Sequence, residues 1–299
     1  MPMATSDMIA KLAALHWSTG QFVRLDLSAA ELVELQTLGY EIEPHPHFGY
    51  RLINGPERLM ADDLRARLQT KVIGREILVF EETTSTNDVV IRMTQAREGL
   101  VVFAESQTKG RGRHGRNWSS PHGKGLWFSV LLRPKFPLPR LTVAASVAVA
   151  RIAGLDAKIK WPNDVILDGR KLAGILTETR GDVAILGIGL NVNCRDEDFP
   201  IELRKVATGL NCTDRPELAA RLLMELDNVY AQAVDGFPSI SAEWARLCTT
   251  LGKQIVVRMG EHRIEGHAQA LDEDGALLIR RDNGQIERVL GADLVVERT

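Results

Sequence analysis

The chain has little net charge, few cysteines and no long apolar run, and each absence excludes a class of protein. Its 37 Lys and Arg nearly balance 39 Asp and Glu, which leaves a formal charge of −2. The surface therefore has no global basic field to track a nucleic-acid backbone. The three cysteines (Cys194, Cys212, Cys248) lack metal-like or Cys-x-x-Cys spacing, which favours reduced thiols in a cytoplasmic protein. No run reaches transmembrane length and no signal-peptide pattern is present, so we expect no membrane association.

One short segment, Gly-Arg-Gly-Arg-His-Gly-Arg-Asn-Trp at residues 110–118, combines three glycines, three arginines and a tryptophan. Glycine lets the backbone approach a ligand closely, and planar guanidinium groups offer forked donors for phosphate. Arg111, Arg113 and Arg116 repel one another unless an anion or solvent lies among them, and a flat ring can stack on Trp118. The segment alone is compatible with nucleotide chemistry and with binding of a nucleic acid.

The glycines of this segment also fit the Gly-x-Gly-x-x-Gly pattern of dinucleotide-binding folds. That fingerprint requires a preceding strand, a helix that opens on the glycines and an acidic residue about 20 positions further on. Residues 117–125 are instead rich in turn-forming types, and Pro134, Lys135 and Phe136 lie near the expected acidic position. We therefore exclude a dinucleotide-binding fold.

The apolar pattern divides the chain into three parts, at residues 1–68, 69–250 and 251–299. In the first part, apolar spacing predicts a helix from about Ser6 to Trp17. A second helix is expected after the capping-box residues Ser28 and Glu31, followed by a short hairpin. Helix, helix and hairpin together make a small winged-helix-like unit, and a linker helix follows it.

The second part mixes strands with helices. Strands are predicted near residues 77–80, 101–104, 126–132, 165–167, 172–177 and 183–192, and helices near 87–97, 141–152 and 216–234. Asp168-Gly169 is a strong hairpin signal, so the pattern favours an α+β fold with a mixed sheet over a regular βαβ repeat. In the third part, short apolar runs separated by turns predict a small β-barrel.

Four further segments place polar residues or glycines at the ends of predicted elements. They are Ser85-Thr86-Asn87, Lys160-Trp161-Pro162-Asn163-Asp164, Lys171-Leu172-Ala173-Gly174 and Gly187-Ile188-Gly189-Leu190-Asn191. The first can hold a polar or anionic group, but ordinary N-capping is the simpler interpretation. The second joins a cation, an aromatic ring, a turn and a carboxylate, and alone it is equally well a loop around a buried tryptophan. The order of the segments along the chain is what discriminates.

In this order the segments resemble those of the bacterial biotin protein ligases, which attach biotin to carboxylase carrier domains. The resemblance runs from about Thr83 to Asn193 and includes Gln107. The Gly-Arg-Gly-Arg-x-Gly-Arg motif paired with Lys-Trp-Pro-Asn-Asp carries most of its specificity, since lipoate ligases share the catalytic fold but not this pair. The resemblance implies a class II synthetase-like mixed sheet and an SH3-like C-terminal barrel.

The resemblance also implies the substrates and the site. Biotin and ATP, with Mg²⁺ carried by the nucleotide and no metal held by the protein, give biotinyl-5′-AMP, and a lysine of a biotin carboxyl carrier protein receives the biotin. The catalytic residues implied are Arg113, Lys171 and Asp164. The biotin-binding residues implied are Ser85, Thr86, Asn87, Gln107, Gly110, Arg111, Gly112, Arg113, Lys171 and Gly174. Those implied for ATP and the adenylate are Arg111, Arg113, Arg116, Trp118, Lys171 and Asn191.

The N-terminal part departs from the family members that also repress genes. Those carry a full helix-turn-helix, whereas Gly20 to Gly39 leave room for one helix, which has Glu31 and Glu34 but no Lys or Arg. Residues 1–68 contain six Lys and Arg against nine Asp and Glu. We do not expect specific DNA binding, because recognition helices need donors for bases and phosphates.

Two interpretations from other classes remain beside the ligase. One is a transcription factor that senses biotinyl-AMP, and the other is an RNA-binding protein that uses the arginines as a tether. Neither explains the segments that begin at Lys160 and Lys171. The sequence leaves open the identity of the carrier, and it leaves open whether the protein is a monomer or a homodimer.

Overall fold

The computed structural model describes residues 6–298 and shows a mixed α+β fold. Its N-terminal part contains α1 (Ser6–Trp17), α2 (Ala29–Thr37), β1 (Glu41–His45), β2 (Gly49–Asn54) and α3 (Ala61–Arg67). The strands β1 and β2 form an antiparallel hairpin. Two helices followed by a hairpin are therefore confirmed.

The local sequence explains where α2 begins. Ser28 Oγ accepts a hydrogen bond from Glu31 N (3.2 Å), and Glu31 Oε2 accepts one from Ser28 N (2.8 Å). This reciprocal capping box is the one that the spacing predicts. Leu12, Leu15 and Leu35, each at most 2% exposed, then pack together. The N-terminal part thus has an apolar core of its own.

The central part comprises seven strands and four helices. The strands are β3 (Glu76–Thr83), β4 (Leu100–Gln107), β5 (Gly125–Leu132), β6 (Lys158–Lys160), β7 (Asp164–Leu167), β8 (Arg170–Arg180) and β9 (Val183–Asn191), and the helices are α4 (Thr86–Arg92), α5 (Leu138–Ala153), α6 (Arg215–Asp235) and α7 (Phe237–Leu247). The strand order is β3-β4-β5-β9-β8-β7-β6. The β3–β4 pair is parallel and the other neighbours are antiparallel. The mixed sheet predicted from the sequence is confirmed.

Helices cover both faces of this sheet, as the side chains of β4 show. Val101 and Phe103 pack in the apolar cluster that includes α5, α6 and α7, whereas Leu100 and Val102 pack with α4. Successive side chains of a strand point to opposite faces. A strand that is apolar at every position is therefore buried on both sides.

Helix α4 is shorter than its sequence predicts. The apolar spacing predicted a helix from Asn87 to Arg97, but α4 ends at Arg92. The Arg133 side chain donates to the carbonyl oxygens of Thr94 (2.7 Å) and Ala96 (3.4 Å). A long-range arginine thus satisfies carbonyl groups beyond the helix end, which no local pattern can reveal. The short strand β6 and helix α7 were also not predicted.

The C-terminal part is a five-stranded antiparallel sheet. Its strands are β10 (Gln254–Met259), β11 (His262–Leu271), β12 (Leu277–Arg280), β13 (Ile286–Val289) and β14 (Asp293–Arg298), in the order β13-β12-β11-β10-β14. Ile255, Val257 and Ile279 belong to the same apolar cluster as the central sheet, so the two parts share a core. Among the helices between residues 6 and 298, none is long and apolar enough to cross a membrane.

Candidate active site

A cavity of about 540 Å³ lies between strands β7 to β9, the start of α4 and loop 110–118. The site residues named from the sequence all line it, with the exception of Gly110. The five motifs are far apart in sequence, and the fold brings them to one place. Their roles stay predictions, but their convergence is a property of the structure.

Gly110 shapes the loop without lining the cavity. A Cβ at Gly110 would lie 2.5 Å from Trp118 O and 3.2 Å from Gln107 Nε2, so a larger residue would displace the loop. Trp118 N donates to Gly110 O (2.9 Å), and Gly112 N donates to Arg116 O (2.7 Å). These bonds fold the arginine-rich segment, which we call the Gly/Arg loop (residues 110–118), back on itself.

A chain of hydrogen bonds forms the polar end of the cavity. Gln107 Oε1 accepts from Thr86 N (2.8 Å), and Gln107 Nε2 donates to Ser120 Oγ (2.9 Å). The Ser129 hydroxyl lies within hydrogen-bond distance of Thr86 Oγ1 (2.7 Å) and of Asn87 Oδ1. Thr86, Asn87 and Ser129 are at most 4% exposed. Donors and acceptors fixed in this way can recognise a small group that has both kinds of atom.

Ser85 occupies the N-cap position of α4, but its side chain makes no capping hydrogen bond. It is 3% exposed and lines the cavity beside Thr86. Side-chain N-capping, the simpler interpretation of Ser85-Thr86-Asn87, therefore does not account for this serine.

Arg111 is held by two carboxylates that the sequence analysis did not single out. Its Nη1 donates to Asp88 Oδ1 (2.5 Å) and its Nη2 donates to Glu178 Oε2 (3.2 Å). The same Glu178 oxygen accepts a hydrogen bond from Asn87 Nδ2 (2.6 Å). The hydrogen bond to Asp88 raises the pKa of Arg111 although partial burial opposes the shift, so this guanidinium remains charged.

Lys171 forms an ion pair with Asp164, the Nζ and Oδ1 atoms being 2.7 Å apart. The same ammonium lies 5.3 Å from the centroid of the Trp118 ring, within the range of a cation–π interaction. The backbone of Lys171 is fixed because its N–H donates to Val206 O (2.7 Å) and its carbonyl accepts from Thr208 N (2.9 Å). The side chain thus projects from a rigid strand into the cavity.

Two glycines form a flat shelf on which the Trp118 indole lies. Gly174 and Gly189 are register partners on β8 and β9. A Cβ would lie 2.9 Å from the indole at Gly174 and 2.4 Å from it at Gly189. At Gly187, a Cβ would lie 2.3 Å from Asn87 Oδ1. Gly187 and Gly189 of β9 therefore leave room on the sheet surface for the side chains of Asn87 and Trp118.

The Lys160–Asp164 segment lies along the cavity, and hydrogen bonds fix its middle residues in place. Trp161 is 4% exposed and its N–H donates to Thr250 Oγ1 (3.2 Å). Asn163 Nδ2 donates to Ile175 O (2.7 Å). The segment is thus a loop around a buried tryptophan, and all five of its residues also line the cavity.

Asn191 closes the end of β9. It is 2% exposed, and its Nδ2 donates to Lys171 O over 3.5 Å. The Asn191 side chain therefore lies beside the backbone of Lys171.

The sequence analysis missed several residues that build the site. Ser129 is a fully buried hydroxyl in an otherwise apolar strand. A polar residue that interrupts an apolar strand could have been recognised from the sequence. Asp88 and Glu178 could not be recognised from the sequence, because isolated acidic residues on predicted elements are common. Ala292 and Leu294 of the C-terminal part also line the cavity, which gives this part a share in the wall. Within the described residues, no group of three or more His, Cys, Asp and Glu is placed to hold a metal ion.

Comparison with protein families gives two matches. The model described as the Biotin/lipoate A/B protein ligase family matches residues 79–193, and the Biotin protein ligase C terminal domain matches residues 250–296. The first match spans the cavity motifs and the second spans the C-terminal sheet.

Comparison with individual proteins gives relatives of the same family. The chain is 36% identical over 281 residues to the bifunctional ligase/repressor BirA of Bacillus subtilis, covering 87% of this chain and 86% of the relative. It is 34% identical over 221 residues to the biotin–[acetyl-CoA-carboxylase] ligase of Mycobacterium tuberculosis, covering 69% and 83%. A biotin protein ligase of Aquifex aeolicus, solved with biotin and ATP, superposes with a TM-score of 0.65 at 31% identity, covering 75% of this chain and all of that one.

Proposed function

The chain belongs to the biotin protein ligase family, and we propose that it activates biotin with ATP and transfers it to a carboxylase carrier protein. The observation that carries the proposal is the convergence of the polar end, the glycine shelf and the cations on one cavity. A volume of about 540 Å³ lies in the range of small-molecule sites.

The polar end is our proposed site for the ureido group of biotin. That group carries two donors and one acceptor, and Ser85, Thr86 and Gln107 supply both kinds of partner. Asn87 lies alongside, and Gly112 and Gly174 leave room for the ring system. We keep Gly110 as a residue of this site only through the loop shape that it permits.

In the first step, the biotin carboxylate attacks the α-phosphorus of ATP and pyrophosphate leaves. Two anions must approach each other, so cations are needed where negative charge accumulates. We assign this task to Arg113, Arg116 and Lys171, which line the cavity. Arg111, which Asp88 and Glu178 hold in place, also lines the cavity, and we keep it as a candidate for both biotin and the adenylate. Mg²⁺ belongs to the nucleotide substrate in this proposal and neutralises phosphate charge.

In the second step, a carrier lysine attacks the acyl carbon of biotinyl-5′-AMP, an amide forms and AMP leaves. Asp164 is the proposed group that orients the incoming amine or takes its proton. In the structure, Asp164 is paired with Lys171 at 2.7 Å. When phosphates attract Lys171, Asp164 becomes available to the carrier amine, which links the two steps.

Trp118 is our candidate for stacking on adenine, with Asn191 near the nucleotide edge or ribose. The indole lies on the shelf formed by Gly174 and Gly189 and lines the cavity. Stacking of a base on an aromatic ring contributes about 1–3 kcal/mol. Gly/Arg loop closure over the adenylate would keep water from the reactive anhydride.

The finer architecture is also a proposal. We divide the chain into a winged-helix-like unit and linker at 1–68, a class II synthetase-like catalytic domain at 69–250 and an SH3-like barrel at 251–299. The family matches and the three sheets support this division. The cytoplasmic location and the carboxylase carrier stay predictions, and the choice between monomer and homodimer stays open.

We propose that the N-terminal unit packs against the catalytic domain and does not bind DNA, although several relatives are named as repressors. Its basic groups are largely engaged. Lys11 pairs with Glu31 (2.7 Å), and Arg67 pairs with Asp63 (2.9 Å). Phosphate contacts need cations that can turn to the backbone of the duplex. Salt-sensitive binding to a biotin-operon promoter fragment in the presence of biotinyl-AMP would contradict this.

The proposed function is tested by biotin-dependent exchange of labelled pyrophosphate into ATP. The reaction reports adenylate formation without any carrier. We expect exchange that requires biotin and Mg-ATP together. Exchange that is absent, or that proceeds equally with lipoate in place of biotin, would contradict the assignment.

A further inference from the structure

We propose that Glu178 is a positioning residue that ties the Ser85-Thr86-Asn87 segment to the Gly/Arg loop and so aligns the biotin end of the cavity. The inference rests on the proposed function for its ligand, but its geometry does not. Glu178 does not line the cavity, and it would act through two residues that do.

A single carboxylate oxygen makes both connections. Glu178 Oε2 accepts from Asn87 Nδ2 at 2.6 Å and from Arg111 Nη2 at 3.2 Å. Asn87 belongs to α4, Arg111 belongs to the Gly/Arg loop, and Glu178 stands on the rigid strand β8. One atom of the sheet therefore sets the distance between two segments that are separate in the sequence.

The neighbours of Asn87 strengthen this connection. Its Oδ1 atom lies within hydrogen-bond distance of the Ser129 hydroxyl, which also contacts Thr86 Oγ1. Thr86 in turn bonds Gln107. Movement of Asn87 would therefore be passed along the chain of bonds that forms the polar end.

The magnitude of the interactions points to alignment and away from stability. The side chains of Arg111, Asp88 and Glu178 are 31%, 29% and 33% exposed. Ion pairs with this access to water contribute little to stability. A cluster that stabilises the fold so little can still fix the orientation of a guanidinium.

The two carboxylates differ in what they hold. Asp88 contacts Arg111 and lies on α4 beside Asn87, whereas Glu178 reaches both Arg111 and Asn87 from the sheet. Loss of Asp88 leaves Arg111 bonded to Glu178, but loss of Glu178 removes the hydrogen bonds of both Asn87 and Arg111 to β8. We therefore expect Asp88→Asn to have a smaller effect on biotin binding than Glu178→Gln.

The first test is a double-mutant cycle on adenylate formation in the full chain. Glu178→Ala should raise KM for biotin about 5- to 100-fold, the range of coupling between neighbouring groups, and change KM for ATP much less. In an Arg111→Ala, Asn87→Ala background, the further change from Glu178→Ala should vanish. Glu178→Gln, which keeps an acceptor oxygen for Asn87, should lie between Glu178→Ala and the parent. Independent, multiplicative effects, or an equal rise in both KM values, would overturn the inference.

The second test needs no substrate and measures trypsin cleavage within residues 110–118. We expect Glu178→Gln to be cut faster than the parent in the absence of ligand. Glu243→Gln is the matched control, because Glu243 pairs with Arg151 outside the cavity, and its loop cleavage should equal that of the parent. Unchanged cleavage in Glu178→Gln would overturn the inference even if the ligase activity stands. A parent protein without adenylate would refute the proposed function, while the cleavage result would still decide on Glu178.

Discussion

Arg67 and Arg111 are each held by acidic side chains, but they differ in their exposure to water. At the junction of the N-terminal and central parts, Arg67 bonds Asp63 (2.9 Å) and Glu217 (3.0 Å). At the cavity, Arg111 bonds Asp88 (2.5 Å) and Glu178 (3.2 Å). The side chains of Arg67 and Asp63 are 7% and 0% exposed, against 31% for Arg111.

The junction is a closed network. Asp63 also receives a hydrogen bond from Tyr40 Oη (2.7 Å) and contacts His16 Nε2 (2.8 Å), so α1, α3 and the segment between α2 and β1 meet on one carboxylate. Burial raises the pKa of Tyr40, helped by the charge of Asp63. Burial also opposes ionisation of Asp63, but the His16 hydrogen bond and the Arg67 charge outweigh it and lower the pKa of Asp63.

An arginine paired with acids therefore serves a different purpose when it is buried than when it is exposed to water. Buried charges that are fully paired are costly to separate, so the junction network fixes how two parts of the chain meet. Half-exposed pairs contribute little stability and can exchange partners, which suits a site where phosphates arrive and leave. We therefore expect variants at the junction to lose stability and variants at the cavity to lose catalytic activity.

The largest effect on stability is expected from Asp63→Ala. The change removes the buried partner of Arg67 and leaves it with Glu217 and Asp214, which are exposed to water, and breaking a buried pair costs about 3–5 kcal/mol. Chemical denaturation measures the loss, and the adenylation rate per folded molecule should equal that of the parent. Asp7→Ala, an exposed partner of Lys11, is the control and should change stability by less than about 1 kcal/mol. If Asp63→Ala loses no more stability than Asp7→Ala, the contrast between the junction and the cavity is contradicted.

The largest effect on chemistry is expected from Lys171→Ala. Removal of one charge contact to the transition state slows adenylate formation about 10²–10³-fold. Pyrophosphate exchange measures the rate, and denaturation should show a change in stability within about 0.5 kcal/mol. An unchanged exchange rate, or a loss of stability as large as that of Asp63→Ala, would contradict the division between the two regions.

Arg113→Ala should affect retention of the intermediate more than its formation. Arg113 belongs to the Gly/Arg loop and lines the cavity, so its loss weakens closure over the adenylate. We expect biotinyl-AMP to appear in solution and most ligation to be lost, as measured by chromatography of the small molecules. Retention equal to that of the parent would refute this role.

The pH dependence of stability gives a further prediction for the junction network. Because the folded pKa of Asp63 is lowered, its contribution is present above the unfolded pKa of about 4 and is lost as pH falls through the folded value. Glu31 behaves in the same way, since its hydrogen bond from Lys11 lowers its pKa to about 2. The stability difference between the parent and Asp63→Asn should therefore shrink below about pH 4. A difference that persists unchanged at low pH would contradict the assignment.

Much of the fold was accessible from the sequence because local signals were strong. The capping box at Ser28 and the β7–β8 turn at Asp168-Gly169, with φ of 50° and 74°, lie where the pattern predicts them. The end of α4 was not accessible, since Arg133, which follows β5, bonds the carbonyl groups beyond it. Tertiary contacts of this kind leave no local trace.

The site was partly accessible for the same reason. Motifs such as Lys171 to Gly174 stand out because a charge or glycine interrupts an apolar strand. Glu178 and Asp88 did not stand out, because an acid near a surface is ordinary until its partner is known. Ala292 and Leu294 enter the cavity wall only through packing of the C-terminal sheet, which the sequence could not place.

The central claim is tested most directly by intact mass spectrometry of a biotin carboxyl carrier domain incubated with this protein, biotin and Mg-ATP. We predict a mass gain of one biotin, which disappears when Lys171→Ala replaces the parent. A carrier that gains no mass, with the protein folded and no biotinyl-AMP in solution, would contradict the account.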